Sequence, residues 1–169
     1  MRSQHGYGIV FSNDPVTRFC LSGVILMNVR YSQFNAKRRF LVVDTDTLNR
    51  LADLSKKVSY GGNPEHKKNP GDFGLTPPAC PRQGKSLCDV ADVFTRRDAL
   101  NLLQEGMRRG LVSDREEQGW PKNVWSVTES GIPMEAQLEN TATGCYHGYP
   151  MPGSDPLASE VLARWRQHV

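Results

Sequence analysis

The segment that decides the fold reads Thr95-Arg-Arg-Asp-Ala-Leu-Asn-Leu-Leu-Gln-Glu-Gly-Met-Arg-Arg109. Thr95 followed three residues later by Asp98 matches a capping box, with aspartate in place of the usual glutamate, and predicts a helix start. Gly110 is a natural helix stop. The apolar side chains recur at helical spacing on one face: Ala99, Leu102, Leu103 and Met107. We predict a helix over residues 95–109.

A β-hairpin follows this helix. Residues 123–128 alternate as a strand does, Glu129-Ser-Gly131 is a turn, and residues 132–138 run back, so we predict a hairpin over 123–139. By parity, Trp125 and Val127 share a buried face that begins at Trp125, with Val124 and Ser126 on the other face. In the returning strand one face is apolar and the other polar: Met134, Ala136 and Leu138 against Glu135, Gln137 and Glu139.

The flanking sequence adds further elements. Strand-like apolar runs occupy residues 24–29 and 40–43, and residues 45–54 predict a helix capped by Thr45 or Asp46. Asp155 followed by Pro156 predicts a terminal helix over 156–167. We therefore expect an α+β fold: a small antiparallel sheet with flanking helices and a long, ordered Pro/Gly-rich loop. Residues 1–59 form a basic N-terminal α/β segment and residues 60–169 the main domain, as one compact unit.

The Pro/Gly-rich loop spans residues 60–86 and begins Tyr60-Gly-Gly-Asn-Pro-Glu-His-Lys-Lys-Asn-Pro-Gly-Asp-Phe-Gly-Leu75. A long ordered loop inside a domain is usually functional. Tyr60, Phe73 and Leu75 offer apolar anchors that would pack the loop on the sheet. Between them, a histidine and two lysines place a proton-transfer group beside two cations, which suits the handling of phosphate.

Charge and composition limit the classes of partner. The net charge is +3, but residues 1–59 hold nine basic and four acidic residues, a net charge of +5. A basic front half attracts polyanions, although a solvated surface explains the same excess. No apolar run approaches the roughly 20 residues that span a bilayer, and the N-terminus lacks a signal-peptide layout. The four scattered cysteines suit a reduced compartment. We expect a cytoplasmic protein without a membrane partner.

The sequence also carries groups for RNA cleavage. Attack by a 2′-hydroxyl needs a base, an acid and cations, and no metal or cofactor. We expect His66 and His147 to be the proton carriers, on the order of 5–10 Å apart in one cleft. Lys67 is the third catalytic candidate. The substrate-binding candidates are Lys68, Arg82 and Lys85 for phosphate, and Tyr146 and Tyr149 for base stacking or proton donation.

Structural explanations of the two histidines remain open. His66 as an ordinary exposed loop residue, and His147 as a packed residue of a turn rich in glycine and proline, explain the same sequence. Structural zinc is disfavoured, because seven residues separate Cys80 from Cys88 where zinc knuckles use two to four.

The segment His66-Lys-Lys-Asn-Pro-Gly-Asp-Phe-Gly-Leu75 resembles the cytotoxic RNase domains of the colicin D type, found at the C-termini of bacterial polymorphic toxins. Those domains carry a Lys-His-x-x-Asp-Phe-Gly-like segment followed by a helix and a small antiparallel sheet. Here the histidine and lysine are inverted and lie farther from Asp-Phe-Gly. The resemblance covers residues 60–150. It implies a metal-independent endoribonuclease, toxin-like or defence-associated, that cleaves structured RNA. As partners we expect a nucleic acid, RNA rather than DNA, and an inhibitory or complex-forming protein.

Two other functions compete with this hypothesis. A helix followed by a hairpin is similar to the recognition helix and wing of winged-helix regulators, with Arg96, Arg97, Arg108 and Arg109 facing the phosphates of a nucleic acid. Such a protein would bind without catalysis, and it requires these arginines to point outward. A protein-interaction subunit of a bacterial complex would instead use the loop as a docking surface and expose a large apolar patch.

Overall fold

The computed structural model describes residues 35–80 and 84–167. Within them the chain is α+β, as expected, with three helices, a four-stranded sheet and a two-stranded sheet. No helix in these two ranges is both long and apolar enough to cross a membrane. The elements in chain order are α1 (Thr45–Ser55), β1 (Ser59–Tyr60), α2 (Arg96–Arg108), β2 (Glu116–Glu117), β3 (Trp120–Pro121), β4 (Asn123–Val127), β5 (Pro133–Asn140), β6 (Cys145–Pro150) and α3 (Leu157–Gln167).

The main sheet has the strand order β1-β6-β5-β4 and is mixed, which corrects the expectation of an antiparallel sheet. Strands β4, β5 and β6 pair antiparallel, whereas the two-residue β1 pairs parallel with β6. Strand β6 replaces the turn considered for the segment around His147. Its Gly148 permits close packing, because a Cβ there would lie 3.1 Å from both the Glu135 carbonyl oxygen and the Tyr60 hydroxyl.

Helix α2 covers one face of this sheet. Its N-terminus is the expected capping box of Thr95 and Asp98, and Gly110 after its end has a φ of +71°. Ala99, Leu103 and Met107 are buried in the main core. The helix approaches β4 so closely that a Cβ on Gly106 would lie 2.3 Å from the carbonyl oxygen of Trp125.

Helices α1 and α3 occupy the expected parts of the chain. Asp44 caps α1 by accepting a hydrogen bond from the Thr47 amide at 2.8 Å, so the expected caps Thr45 and Asp46 are wrong by one or two residues. Asp155 accepts from the Leu157 amide at 3.0 Å, as expected of a cap. Helix α3 buries Leu157 and Val161 in a second core cluster that contains Trp125.

The hairpin register confirms part of the burial prediction and corrects the rest. Trp125 and Val127 are buried as expected, but burial begins at Asn123, and Val124 and Ser126 are buried as well. The polar face predicted for β5 is also wrong at Glu135, which is 0% exposed. The reason is that both faces of the sheet are covered within the described residues, so alternation no longer separates core from solvent.

The segment before α1 and the start of the loop pack on this frame. Residues 40–43, expected as a strand, form only an isolated bridge between Phe40 and Ser113. Tyr60 and Phe73 are buried, and Leu75 is half-buried against the same core. Short 3-10 turns at Pro64–His66 and Pro70–Phe73 interrupt the loop. The strand expected over residues 24–29 and the phosphate candidate Arg82 lie outside the described residues.

Candidate active site

Polar side chains line one face of the main sheet across β4, β5 and β6. Residues directly opposite each other in antiparallel strands share a face. The register therefore places two rows of side chains on that face: Asn123, Gln137 and His147 in one, and Trp125, Glu135 and Tyr149 in the next. The face that α3 helps to cover thus carries the titratable groups, and it includes one of the two candidate histidines.

His66 joins this face from the 3-10 turn Pro64–His66. Its ring stacks on Tyr149 with 5.0 Å between ring centroids and 24° between planes. It lies 6.5 Å from the ring of His147 at 13°, although the two histidines are 81 positions apart in sequence. This separation falls inside the expected range, so the predicted proximity of the two imidazoles is confirmed.

The tautomer of His66 is fixed by one hydrogen bond. Its Nδ1 lies 2.8 Å from the carbonyl oxygen of Ser86, and only a protonated nitrogen can bond to a carbonyl. The neutral ring therefore carries its lone pair on Nε2. Burial lowers the pKa of His66, opposed by the Ser86 carbonyl, and the positive charge of Lys85 lowers it further. At neutral pH, His66 therefore suits the role of a proton acceptor.

His147 has a different electrostatic environment. Its Nδ1 lies 3.7 Å from Oε2 of the half-exposed Glu139. Burial lowers the pKa of His147, Glu139 opposes that change by favouring the imidazolium, and Lys85 reinforces it. The two rings thus differ in their surroundings: Nδ1 of His66 donates to a carbonyl, whereas Nδ1 of His147 makes no hydrogen bond within the described residues and has a carboxylate nearby. Since a carboxylate stabilises the protonated ring, His147 is the better proton donor of the pair.

Lys85 is the cation that the two imidazoles share, because its charge lowers the pKa of both. Lys68 is exposed, and its backbone amide donates to Asp89. Of the expected phosphate ligands that the structure describes, Lys85 is thus the one whose charge acts on both histidines.

Lys67 does not take the catalytic position expected of it. Its side chain is 1% exposed, and its ammonium donates to Asp89 and to the carbonyl oxygens of Val93 and Phe94, at 3.2–3.3 Å. It also lies 4.6 Å from the ring centroid of Phe73. These three acceptors use all three N–H donors of an ammonium. Lys67 therefore holds the loop to the segment before α2 and is removed from the candidate site.

The two candidate tyrosines are also buried, whereas stacking on a substrate base requires an exposed ring. Tyr146 is 0% exposed, its hydroxyl donates to the Pro121 carbonyl at 2.6 Å, and burial raises its pKa. Tyr149 is 4% exposed, and its hydroxyl accepts from Gln137 at 2.8 Å. Tyr146 is therefore a core residue, and Tyr149 supports the ring of His66.

A buried ionic network adjoins the site and was not predicted. Glu135 pairs with Arg38, and its Oε1 accepts from Asn123 at 2.6 Å. Arg38 also binds both carboxylate oxygens of Asp155, at 3.2 and 2.8 Å. Gln137 lies 3.5 Å from Glu135 and donates to Tyr149, which links the network to the ring beneath His66.

One sequence signal would have located Glu135. An antiparallel hairpin with a buried Trp125 places the opposite residue on the same face, and here that residue is Glu135. Burial raises the pKa of Glu135, while Arg38 opposes the shift. A carboxylate opposite a buried tryptophan therefore needs a buried cation, and Arg38 supplies it.

The arginines of α2 are mostly engaged with the protein itself. Arg96 donates to the Phe73 carbonyl, and Arg108 and Arg109 both pair with Glu105. Arg109 also lies 4.1 Å from the ring of Trp165. A winged helix requires these side chains to face a nucleic acid, so their contacts favour a supporting role for α2.

Ligands for a metal ion are not grouped in the part of the chain that the structure describes, where no three His, Cys, Asp or Glu side chains lie together suitably. Cys88 is buried, and burial raises the pKa of its thiol to about 11. Its thiol donates to the Gly148 carbonyl at 3.5 Å. Cys88 is therefore a packing residue.

The site thus consists of two stacked imidazoles with a shared lysine, supported by a tyrosine and a buried carboxylate network. Comparisons with protein-family models, with curated proteins and with solved structures give no match to this chain.

Proposed function

We propose that this chain is a metal-independent endoribonuclease that uses His66 and His147 as its acid–base pair. The observation that carries the proposal is the 6.5 Å separation of the two rings, which lets one phosphate contact both. General acid–base groups each contribute about 10²–10⁴ in rate, provided they lie within reach of the protons that they move. The shared cation Lys85 supplies the remaining requirement, a positive charge for the phosphate.

The environments of the two rings assign their roles. Nε2 of His66 accepts the proton of the 2′-hydroxyl, and the 2′-oxygen attacks the adjoining phosphorus. The phosphorus–5′-oxygen bond breaks, and protonated His147 gives its proton to the leaving 5′-oxygen. Lys85 stabilises the extra negative charge of the phosphorane. The products are a 2′,3′-cyclic phosphate and a 5′-hydroxyl end, and no metal ion takes part.

The resemblance to colicin D-type domains adds a substrate class, a biological role and a protein partner to the proposal. It supports structured RNA as the substrate, a toxin-like or defence-associated role, and an inhibitory protein that binds the nuclease. These statements rest on the segment from His66 to Leu75 and on the order of helix and hairpin that follows it.

The test is incubation of the purified chain with total RNA and with a defined RNA oligonucleotide, each with and without EDTA. We expect cleavage in both buffers, products with cyclic phosphate ends, and no cleavage of the same sequence as DNA. His66→Gln and His147→Gln should each lower the rate by about 10²–10⁴. Lys85→Gln should lower it as well, while Lys37→Gln, which removes an exposed lysine, serves as its matched control.

The variants must be folded for this comparison, so each is checked by circular dichroism and thermal unfolding. Cleavage that EDTA abolishes, or that persists at the wild-type rate in both histidine variants, would refute the proposal. Wild-type protein that leaves every RNA intact would refute it too.

A further inference from the structure

A cavity of about 370 Å³ is lined by the loop that carries His66. Its wall includes the residues on both sides of His66 in sequence, Glu65 and Lys67, and also the shared cation Lys85. Neither imidazole lines it. Cavities that bind small molecules have volumes of about 300–1,000 Å³, so this one has room for a single ligand of modest size.

The wall combines apolar rings with two available cations. Four prolines and a leucine form its apolar part: Pro64, Pro70, Pro77, Pro78 and Leu87. Within residues 35–80 and 84–167, the ammonium groups of Lys68 and Lys85 make no ion pair or hydrogen bond, whereas that of Lys67 is paired with Asp89. Although Glu65 also lines the wall, a ligand with a flat apolar part and a negative charge complements the proline rings and these two lysines.

A nucleotide has both parts. We propose that the cavity binds the nucleotide unit next to the cleaved phosphate, with its base against the proline rings and its phosphate toward Lys68 and Lys85. This inference rests on the proposed nuclease function and names the part of the RNA that the chain recognises beyond the reacting atoms. Lys85 lines the cavity, and its charge acts on both imidazoles, so the inference places the bound unit and the scissile phosphate next to each other along one strand.

The inference assigns different kinetic roles to Lys68 and Lys85. Lys85 faces the reacting phosphate, so its loss lowers the catalytic rate. Lys68 faces only the cavity, so its loss weakens binding of the flanking nucleotide. For RNA cleavage, Lys68→Gln should therefore raise KM with little change in kcat. The pH profile of the rate should also stay the same, because only the removal of a charge that acts on the imidazoles would shift it.

The direct test needs no cleavage. The four nucleoside 3′-monophosphates, the four nucleosides and inorganic phosphate are each titrated into the full chain by calorimetry. We expect at least one nucleotide to bind saturably, with a Kd at least tenfold below that of its nucleoside and of inorganic phosphate. Lys68→Gln should weaken that binding about fivefold, as loss of one partly exposed ionic contact does. Lys37→Gln, the matched loss of an exposed lysine, should leave it unchanged.

Three binding results would overturn the inference. Inorganic phosphate that binds as tightly as the nucleotides would show a bare anion site, and nucleosides that bind equally well would show that the lysines make no phosphate contact. Equal nucleotide affinity of the wild type and Lys68→Gln would place the ligand elsewhere. Failure of RNA cleavage with intact nucleotide binding would refute the proposed function alone, and cleavage without nucleotide binding would refute this inference alone.

Discussion

Replacing Glu135 by alanine should destabilise the protein strongly, because it leaves buried polar groups without their partner. Glu135 is 0% exposed and pairs with Arg38, whose side chain is 11% exposed. Removal of one member of a buried ion pair costs about 3–5 kcal/mol. Asp155 still binds the guanidinium through two hydrogen bonds, which limits the loss at Arg38. The side chain of Asn123 loses its acceptor outright.

These contacts place the expected loss at the lower end of the range, about 3 kcal/mol in the free energy of unfolding. For a chain of this size, that loss lowers the melting temperature by roughly 6–12 °C. Glu135→Gln keeps the side-chain volume and an acceptor for Asn123 but removes the charge. We therefore expect a smaller loss for it, about 1–2 kcal/mol.

The assay is urea unfolding followed by circular dichroism, with the slope of the transition compared between variants. Glu129→Ala, in the exposed turn between β4 and β5, is the matched control and should change stability by no more than about 0.5 kcal/mol. A loss below about 1 kcal/mol for Glu135→Ala would show that the network contributes little, and the reasoning from its burial would then be refuted.

Three further predictions concern packing, the loop and pH. Gly106→Ala should lower the free energy of unfolding by about 1–3 kcal/mol, because the new Cβ would meet the Trp125 carbonyl. Gly153→Ala, with open space around the new Cβ, should leave it unchanged in the same unfolding assay. Lys67→Met should lower the free energy of unfolding by about 2–4 kcal/mol, since a carboxylate and two carbonyls lose their donor. Lys68→Met, which replaces an exposed lysine, should change it little. Equal effects of the two substitutions would contradict the buried position of Lys67. Burial lowers the pKa of both imidazoles below 6.5, so the rate of RNA cleavage should be highest below pH 6.5 and fall above it, as the acid member loses its proton. The stability of the protein depends on pH in the opposite direction. The unfolded chain binds these protons more readily than the folded chain, so the contribution of the neutral rings to the free energy of unfolding is fully present above pH 6.5. That contribution is lost as the pH falls through the lowered pKa values of the folded state. A rate that rises from pH 6.5 to 8 would contradict the assignment.

The local elements were predictable where short-range chemistry decides them. The capping box at Thr95 and the cap at Asp155 involve partners two or three residues away, so the sequence alone locates both helix starts. Strand β6 was harder, because Gly148 and Pro150 favour a turn by propensity. Long-range contacts override that preference: the Tyr60 hydroxyl accepts a hydrogen bond from the Gly148 amide at 2.8 Å, across 88 positions.

Short-range chemistry and long-range contacts likewise divide the site into parts that the sequence predicts and parts that it does not. The histidine pair follows from chemistry, since proton transfer to and from one phosphate needs two groups close together. The choice among neighbouring lysines depends on Asp89, 22 positions away, which engages Lys67. The buried network depends on Arg38, which meets Glu135 across 97 positions. Burial patterns along a single strand carry no information about such partners.

The most direct test of the central claim is a comparison of RNA cleavage rates between the single variants His66→Gln and His147→Gln and the double variant. If the two imidazoles act as one acid–base unit, the double variant should cleave no more than a few-fold more slowly than the slower single variant, although each single loss costs about 10²–10⁴. Rate losses that multiply in the double variant would show that the two histidines act independently, which would contradict a shared site.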